Sequence, residues 1–452
     1  MTAGGPLAVL TRDGRLLFAS KLARTFSYGF LSVVLVLYLA ALGLDDAHIG
    51  ILLALTLLGD AALSLLLTTR ADTFGRGRVL RIGAVLMVAA GVAFAVSSDF
   101  WVLLIGATVG VISVSGGEVG PFRAVEEAAL SHILPSRERT RIFGWYSLAG
   151  SFAAATGSLA AGLLVAGAQA LGASILDSYR VVVLAYAAVG AGLALVFTLL
   201  TPAIEVDPTA RSPRTGRLGL HRSRGIVARL SVLMGLDSFG GALAAQSLVA
   251  YWFTLRFAAP PELLGVIFFV TNILAGLSAL VAARLAARFG LVPTMVFTHL
   301  PSNVMLVVLP FMPNLPLAAL VLFVFFSLNK MDIPARQSYV VAVVDPDERS
   351  AAGGITSIAR SLGQAPAPAI AMPLLGMAAF SGVPFIAAGL LKISYDLLLW
   401  RGFRALHPPE ESDGPAQRVE PADRSDPALV GADLATPNGR TPDAGPASPD
   451  EP

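Results

Sequence analysis

Two short segments carry charged residues into long apolar runs, and their side chains could bind ions or exchange protons. The first reads GGEVGPFRAVEE and contains Glu118 and Arg123. The second reads NKMDIPARQ and contains Lys330, Asp332 and Arg336. A charge inside a membrane-spanning helix is costly, so such residues usually face a partner or a water-filled cavity. These residues are therefore candidates for binding a solute or carrying a proton.

Some of these charges could be satisfied within their own helix. Arg123 and Glu127 are four residues apart, as are Lys392 and Asp396. Charges at this spacing lie on one helix face and can neutralise each other. We expect a local pair for Lys392 and Asp396, whereas for Arg123 a local pair and a place in a cavity are equally compatible with the sequence.

Glu118 has no such local partner and is our best candidate for a carboxylate that titrates during function. Burial penalises the charged form of a carboxylate, so its protonation could be coupled to a change of conformation. The histidines are scattered without metal-ligand spacing. His299, with Asn303 four residues later, is interpreted as a packed polar pair.

The elements that must position these residues are membrane-spanning helices. The chain has 452 residues, 55% of them hydrophobic and 14% charged, with a mean hydropathy of +0.72. Soluble domains contain roughly 25% charged residues. Apolar runs of about 20 residues, each able to span a bilayer, predict twelve helices, at 19–43, 47–69, 79–97, 100–132, 142–170, 179–201, 229–256, 262–287, 291–312, 315–344, 350–378 and 382–404.

Several function classes are excluded or disfavoured. The chain has no cysteine, so it has no disulfide and no thiolate site. No lysine lies in a P-loop context, so any transport is not driven by an ATPase of this chain. The loops contain no nucleophile–base–acid set and no metal cluster, and we expect neither an enzyme nor a metal site.

Basic residues lie almost entirely in one set of connections between the predicted spans. The other set contains only Arg180 and Arg256. Because basic loop residues stay in the cytoplasm, both termini and the central loop are predicted to be cytoplasmic. The first span is expected to serve as its own insertion signal and to be retained.

The two halves of the chain repeat each other. Phe74-Gly75 matches Phe289-Gly290, Pro121-x-Arg123 matches Pro334-x-Arg336, and Glu138-Arg139 matches Glu348-Arg349. The nearly constant offset indicates a duplicated six-helix unit.

The predicted organisation has five parts. Residues 1–18 form a cytoplasmic N-terminus, 19–201 and 229–404 form two six-helix bundles, and 202–228 form an Arg-rich linker. Residues 405–452 form an acidic tail that we expect to be disordered. A solvated tail without a specific task is favoured over a regulatory one.

The polar stretch TTRADTFGRGR, from Thr68 to Arg78, together with the twelve helices and the repeat, resembles the major facilitator superfamily of secondary transporters. That family has G-x-L-A-D-R-x-G-R-K between its second and third helices. The positions that match or adjoin this motif are Asp72, Gly75, Arg76 and Arg78. Thr68 and Thr73 depart from it.

The resemblance implies a cytoplasmic gate. Asp72 would bind across the domain interface near the start of the eleventh helix, where a carboxylate is stabilised by the helix dipole. Asp60 and Arg360 lie at similar depth, ~15 Å from the cytoplasmic ends of the second and eleventh helices. These helices are neighbours in the family, so we predict an Asp60–Arg360 salt bridge in the outward-facing state. The alternative is that each group is satisfied within its own half.

In the family the first, fourth, seventh and tenth helices line a central cavity. The resemblance therefore places eight candidates around one substrate and proton compartment: Glu118, Arg123, Asp237, Gln246, Asn329, Lys330, Asp332 and Arg336. Pro121 and Pro334 each remove a backbone hydrogen bond, so we expect both helices to be kinked beside these charges.

The fifth predicted helix partly resembles a glycine-rich antiporter motif. The matching positions are Gly150, Gly157, Ala161 and Gly162, but Ser158 replaces the proline of the motif. Small residues at this spacing also simply permit close helix packing, which is the favoured interpretation. The arginine usual in the fourth helix of proton-coupled members has no counterpart between Trp101 and Gly117.

The leading interpretation is a proton-coupled secondary transporter that moves a small organic solute by alternating access, with export favoured over uptake. The alternative is an uptake symporter for an anionic or zwitterionic metabolite. From another class, a non-transporting membrane sensor could keep the same fold. We expect a small-molecule substrate, the lipid bilayer and no nucleic acid as partners, a proton or another ion in place of any cofactor, and a monomer in the plasma membrane.

Overall fold

The computed structural model describes residues 10–135, 138–205, 222–345 and 348–403. In the first half the helices are α1 (Arg12–Ala41), α2 (Asp46–Phe74), α3 (Arg76–Val96), α4 (Phe100–Val109), α5 (Phe122–Ile133), α6 (Arg139–Ala170) and α7 (Ile175–Thr198). In the second half they are α8 (Arg224–Leu243), α9 (Gln246–Phe257), α10 (Pro261–Phe289), α11 (Leu291–Val308), α12 (Leu315–Asn329), α13 (Asp332–Ala342), α14 (Arg349–Gln364), α15 (Ala367–Gly376) and α16 (Val383–Phe403). The predicted tail and most of the linker lie outside the described residues.

These helices form the twelve predicted spans of an all-α membrane protein. Eight spans are single helices, and four consist of two consecutive segments each: α4 and α5, α8 and α9, α12 and α13, and α14 and α15. Among the described residues, nine helical stretches are long and apolar enough to cross a membrane, and one of them, Arg224–Phe257, joins α8 and α9. The predicted twelve-helix architecture is confirmed, with breaks in the fourth, seventh, tenth and eleventh spans.

The fourth span is interrupted more strongly than a proline kink requires. Residues 110–121 are not helical, and Gly116 and Gly120 have positive φ angles of 70° and 76°. Pro121 then immediately precedes α5. Pro334 lies in the first turn of α13, where a missing N–H costs no helix bond. The charged segments therefore lie at helix breaks in both halves.

A single residue separates α2 from α3. α2 continues to Phe74, five residues beyond its predicted end, and Gly75 turns the chain with φ 98°. The matched Gly290 has φ 87° between α10 and α11. Glycine adopts this backbone conformation without a steric penalty. The repeat in the sequence thus corresponds to the same turn in both halves.

Glycines in α6 allow this helix to contact two partners closely. A Cβ atom at Gly157 would overlap the carbonyl oxygen of Phe26 on α1. A Cβ at Gly162 would lie 2.6 Å from the carbonyl oxygen of Pro261, at the start of α10 in the other half. The small residues of the fifth span therefore have a packing role, as the favoured interpretation held.

The two halves meet on the side opposite to the arginine-rich connections. Tyr251 of α9 donates a hydrogen bond to the Asp46 carboxylate of α2 at 2.8 Å. At Gly50 a Cβ would lie 2.8 Å from the Pro368 carbonyl oxygen. Since the arginine-rich side is assigned to the cytoplasm, these contacts between the halves lie on the side predicted to be extracellular.

Candidate functional site

A polar cavity of about 230 Å³ lies between the two halves where the helices are broken. The first half contributes Leu57, Val114 and Ser115. Apart from Ser115, the polar and charged lining comes from the second half: Asp237, Ser238, Gln246, His299, Asn329, Lys330, Asp332, Arg336, Arg360, Gln364 and Lys392. Broken helices at such a position supply free backbone groups as well as side chains to a bound solute.

Asp237 of α8 is the centre of the charge network in this cavity. Its two carboxylate oxygens are 3.0 Å from Arg336 Nη1 and 2.5 Å from Lys392 Nζ. Arg336 also pairs with Asp332, one turn earlier on α13, at 3.0 Å. All four side chains are less than a tenth exposed. Buried ion pairs of this kind hold three helices in one fixed arrangement, and losing one partner leaves an uncompensated charge.

Lys392 reaches this network from α16, the last span. The predicted local pair with Asp396 is wrong, because Lys392 binds Asp237 on α8 instead. It passes over Gly240, where a Cβ atom would lie 2.9 Å from Lys392 Cγ. Glycine at this position therefore leaves room for the lysine stem, and Gly240 is the one sequence signal that could have indicated it.

The histidine of α11 is a second residue whose place in the cavity the sequence did not indicate. His299 Nδ1 lies 2.9 Å from Asp396 Oδ1, and Asn303 donates to the other Asp396 oxygen at 2.8 Å. His299 and Asn303 are packed together, as predicted, but His299 Nε2 also lies 3.9 Å from Asp237. The imidazole thus stands between two carboxylates at the cavity wall.

Two cations of the cavity have no carboxylate partner among the described residues. Arg360 Nε donates to the Ser238 hydroxyl at 3.3 Å and forms no ion pair there. Lys330, at the end of α12, exposes its side chain to the cavity. With Arg336 and Lys392 they give the lining four cations against the two carboxylates of Asp237 and Asp332. The cavity therefore has excess positive charge.

Gln246, at the start of α9, joins the halves at the cavity. Its amide nitrogen donates to Ser32 at 2.9 Å and to Ser158 at 3.3 Å, and its oxygen accepts from Asn272 at 3.3 Å. Six of the eight predicted cavity residues thus line one compartment: Asp237, Gln246, Asn329, Lys330, Asp332 and Arg336. The other two, Glu118 and Arg123, are not part of this lining.

Glu118 and Arg123 belong to a separate charged cluster in the first half. Glu118 forms an ion pair with Lys21 of α1, and Arg24 and Arg123 each approach its second oxygen at 3.9 Å. Arg123 also pairs with Glu127 at 3.1 Å, which is the local pair, one of the two alternatives that the sequence left open. Glu118 is 17% exposed, and its Oε2 accepts no hydrogen bond from the described residues.

Glu126 is fully buried in this cluster, as is Arg24, and nothing in the sequence indicated its burial. Its carboxylate accepts from Arg24 at 2.6 Å, from Ser20 at 2.8 Å and from Tyr146 at 2.6 Å, and its side chain is 0% exposed. Arg24 lies in the first span and Asp237 in the seventh, and these two spans correspond to each other in the repeat. The first span of one half therefore carries a buried cation, and the first span of the other half carries a buried carboxylate.

The gate residues of the α2–α3 turn are held within their own half. The backbone N–H of Arg76 donates to Glu205 at 2.6 Å, and its guanidinium donates to the carbonyl oxygens of Ala128 and Ile204. Arg78 is exposed. The side chain of Asp72 lies outside the described residues, so its predicted contact with the eleventh span stays a prediction.

Asp60 and Arg360 are also bound within their own halves. Asp60 accepts from the backbone N–H of Gly120 at 2.5 Å and from Ser64 at 3.4 Å. Arg360 contacts Ser238 instead. The predicted salt bridge between them concerns the outward-facing state and stays a prediction.

The fold and the cavity together define a class of protein: a multi-pass integral membrane transporter built from two repeated halves around a polar site. The chain belongs to the Major Facilitator Superfamily. The sequence profile of that family matches residues 17–256 and 230–436. This shows a secondary transporter fold with a small-molecule substrate.

An uncharacterized membrane protein of Saccharomyces cerevisiae, YJR124C, is 30% identical over 419 residues, which cover 86% of this chain and 93% of the yeast protein. The crystal structure of the nucleoside transporter NupG is similar with a TM-score of 0.65 and 14% identity, over 87% of this chain and 99% of NupG. The xylose transporter XylE from E. coli, in a partially occluded inward open conformation, is similar with a TM-score of 0.67 and 13% identity, over 87% of this chain and 98% of XylE. At these identities the two structures show the shared fold.

Proposed function

We propose that this protein transports a small organic anion, or a zwitterion bound through its acidic group, by alternating access. The observation that carries the proposal is the excess of cations in the cavity, where Lys330 and Arg360 have no carboxylate partner among the described residues. A guanidinium binds a carboxylate or phosphate through two parallel hydrogen bonds, and an ammonium adds a compact charge. An acidic solute would supply the missing partner.

The size and chemistry of the cavity support a small substrate. Its volume of about 230 Å³ is just below the usual range of about 300–1,000 Å³ for ligand sites. Phe325, Phe326 and Leu306 add apolar surface next to the charged groups. An acid with a compact apolar body fits both features.

Proton coupling is the second part of the proposal, with Glu118 as the titrating carboxylate. Its ion pair with Lys21 ties the break after α4 to α1, and protonation would release that tie. The direction of transport receives no support from the fifth span, because Gly157 and Gly162 are explained by packing. Uptake by symport is therefore retained as an alternative to export. The expected location of the protein is the plasma membrane.

A thermal-shift screen of the purified protein against acidic, basic and neutral metabolites tests the substrate class. We expect the stabilising compounds to be acids, and we expect Arg360→Gln to weaken their binding ~10-fold or more, since charged hydrogen bonds contribute about 1.5–3 kcal/mol. Arg284→Gln removes an exposed arginine outside the cavity and serves as the control. Stabilisation only by neutral or basic compounds would contradict an anionic substrate.

A further inference from the structure

A second cavity lies near the extracellular end of the second half. It has a volume of about 590 Å³, is partly open, and is lined by the ends of α9 and α15, the beginning of α16 and the turn at 309–311. It shares no lining residue with the central cavity. Its volume lies within the range of small-ligand sites, about 300–1,000 Å³.

Most side chains that line this cavity are apolar, and one of them is the rigid aromatic group of Trp252. Trp252 of α9 is 1% exposed and packs edge-to-face on Phe385 of α16, with ring centroids 5.0 Å apart. Phe311 and Leu375 contribute further apolar surface. A ligand body in this cavity would therefore be apolar.

One cation lies at the same cavity. Arg256, in the last turn of α9, is exposed and forms no ion pair with any described residue. Its guanidinium lies 5.7 Å from the ring of Phe257. Arg180, the other basic residue on the extracellular side, is paired with Asp177 at 3.1 Å. The unpaired guanidinium beside an apolar wall is complementary to an acid with an apolar body.

We propose that this cavity is a binding site for a single-chain carboxylate amphiphile. The carboxylate pairs with Arg256, and the chain lies along Trp252 in the apolar interior. A single chain matches a cavity of about 590 Å³. The site lies beside the contact between the halves, because α9 also carries Tyr251, which binds Asp46 of the other half.

The chain offers a specific reporter for this site, because it contains only four tryptophans. Replacing Trp101, Trp145 and Trp400 by Phe leaves Trp252 as the only indole in the full-length protein. Brominated dodecanoate, added to this protein in nanodiscs, is expected to quench Trp252 fluorescence in a saturable manner. Brominated dodecanol has the same chain without the charge and should quench without saturation.

Two variants complete the test. Arg256→Gln should raise the half-saturating concentration of brominated dodecanoate ~10-fold, since it removes a charge-assisted hydrogen bond. Arg180→Gln, the matched control, should leave it unchanged. Ala379 lines the cavity from the turn that follows α15, so the larger side chain of Ala379→Phe should fill the cavity. This variant should abolish saturable quenching although Arg256 is still present.

Three results would overturn the proposal. Quenching that rises linearly and equally for the acid and the alcohol would show partition into the bilayer only. Saturable quenching that Arg256→Gln does not change would remove the role of the cation. Saturable quenching by a brominated anionic phospholipid, but not by brominated dodecanoate, would replace the single-chain occupant by a two-chain lipid.

Discussion

At the scale of single residues, neighbouring carboxylates have very different surroundings. Glu126 is buried and accepts hydrogen bonds from three side chains, whereas Glu127 pairs with Arg123 near the surface. Their adjacency in sequence gave no means to tell them apart. The position of Arg24 on α1 determines the difference between them, because Arg24 lies next to the Glu126 carboxylate and not next to that of Glu127.

We expect Glu126→Gln to destabilise the protein strongly. Breaking a buried ion pair costs about 3–5 kcal/mol, because it leaves the partner charge buried and unpaired. Glu127→Gln should cost less than about 1 kcal/mol, as for an exposed pair. Thermal unfolding in detergent measures both. Equal stability of the two variants would show that Arg24 finds another partner.

A second residue-scale prediction concerns proton coupling through Glu118. Glu118→Gln mimics the protonated carboxylate and removes the ion pair with Lys21. Transport of an acid identified by the screen should then lose its dependence on pH, while Glu127→Gln, which removes a carboxylate of the same cluster, should retain it. Unchanged pH dependence in Glu118→Gln would exclude this residue as the titrating group.

At the scale of elements, α6 is the helix that contacts both α1 and α10, and glycine makes this possible. A Cβ at Gly157 would overlap the Phe26 carbonyl oxygen, whereas a Cβ at Gly167 of the same helix meets nothing within 4 Å. The Phe26 backbone beside Gly157 cannot move aside as a flexible side chain can. Gly157 therefore tolerates a larger residue less well than Gly167 does.

Gly157→Ala should therefore destabilise the protein by about 1–3 kcal/mol, the usual cost of overpacking. Gly167→Ala should be neutral or slightly stabilising, because alanine favours a helix over glycine by up to about 1 kcal/mol. Melting curves of the two variants, recorded in the same detergent, provide the comparison. A stable Gly157→Ala protein would mean that α1 and α6 can separate without cost.

The elements also show what could be predicted from the sequence. Hydropathy and the repeat predicted the twelve spans, and the two prolines Pro121 and Pro334 predicted kinks where the structure has breaks, because these are local properties. The Lys392–Asp237 pair was missed, because the spacing of Lys392 and Asp396 satisfied the same charge within one helix. Pairing across helices depends on tertiary packing, which i,i+4 spacing does not encode.

At the scale of the whole molecule, Asp46 near the start of α2 and Tyr251 on α9 join the halves on the side predicted to be extracellular. Alternating access requires this contact to open when the cavity faces outward. A covalent link at these positions should thus hold the protein closed on that side, independently of the substrate's chemistry.

The most direct measurement is counterflow of a labelled acid from the screen into proteoliposomes that contain the Asp46→Cys, Tyr251→Cys protein. The chain has no cysteine of its own, so a bifunctional thiosulfonate reagent links these two positions alone. Each single-cysteine variant, treated in the same way, is the control. Alternating access predicts that cross-linking stops exchange and that a reductant restores it. Exchange at the unmodified rate in the cross-linked protein would contradict it.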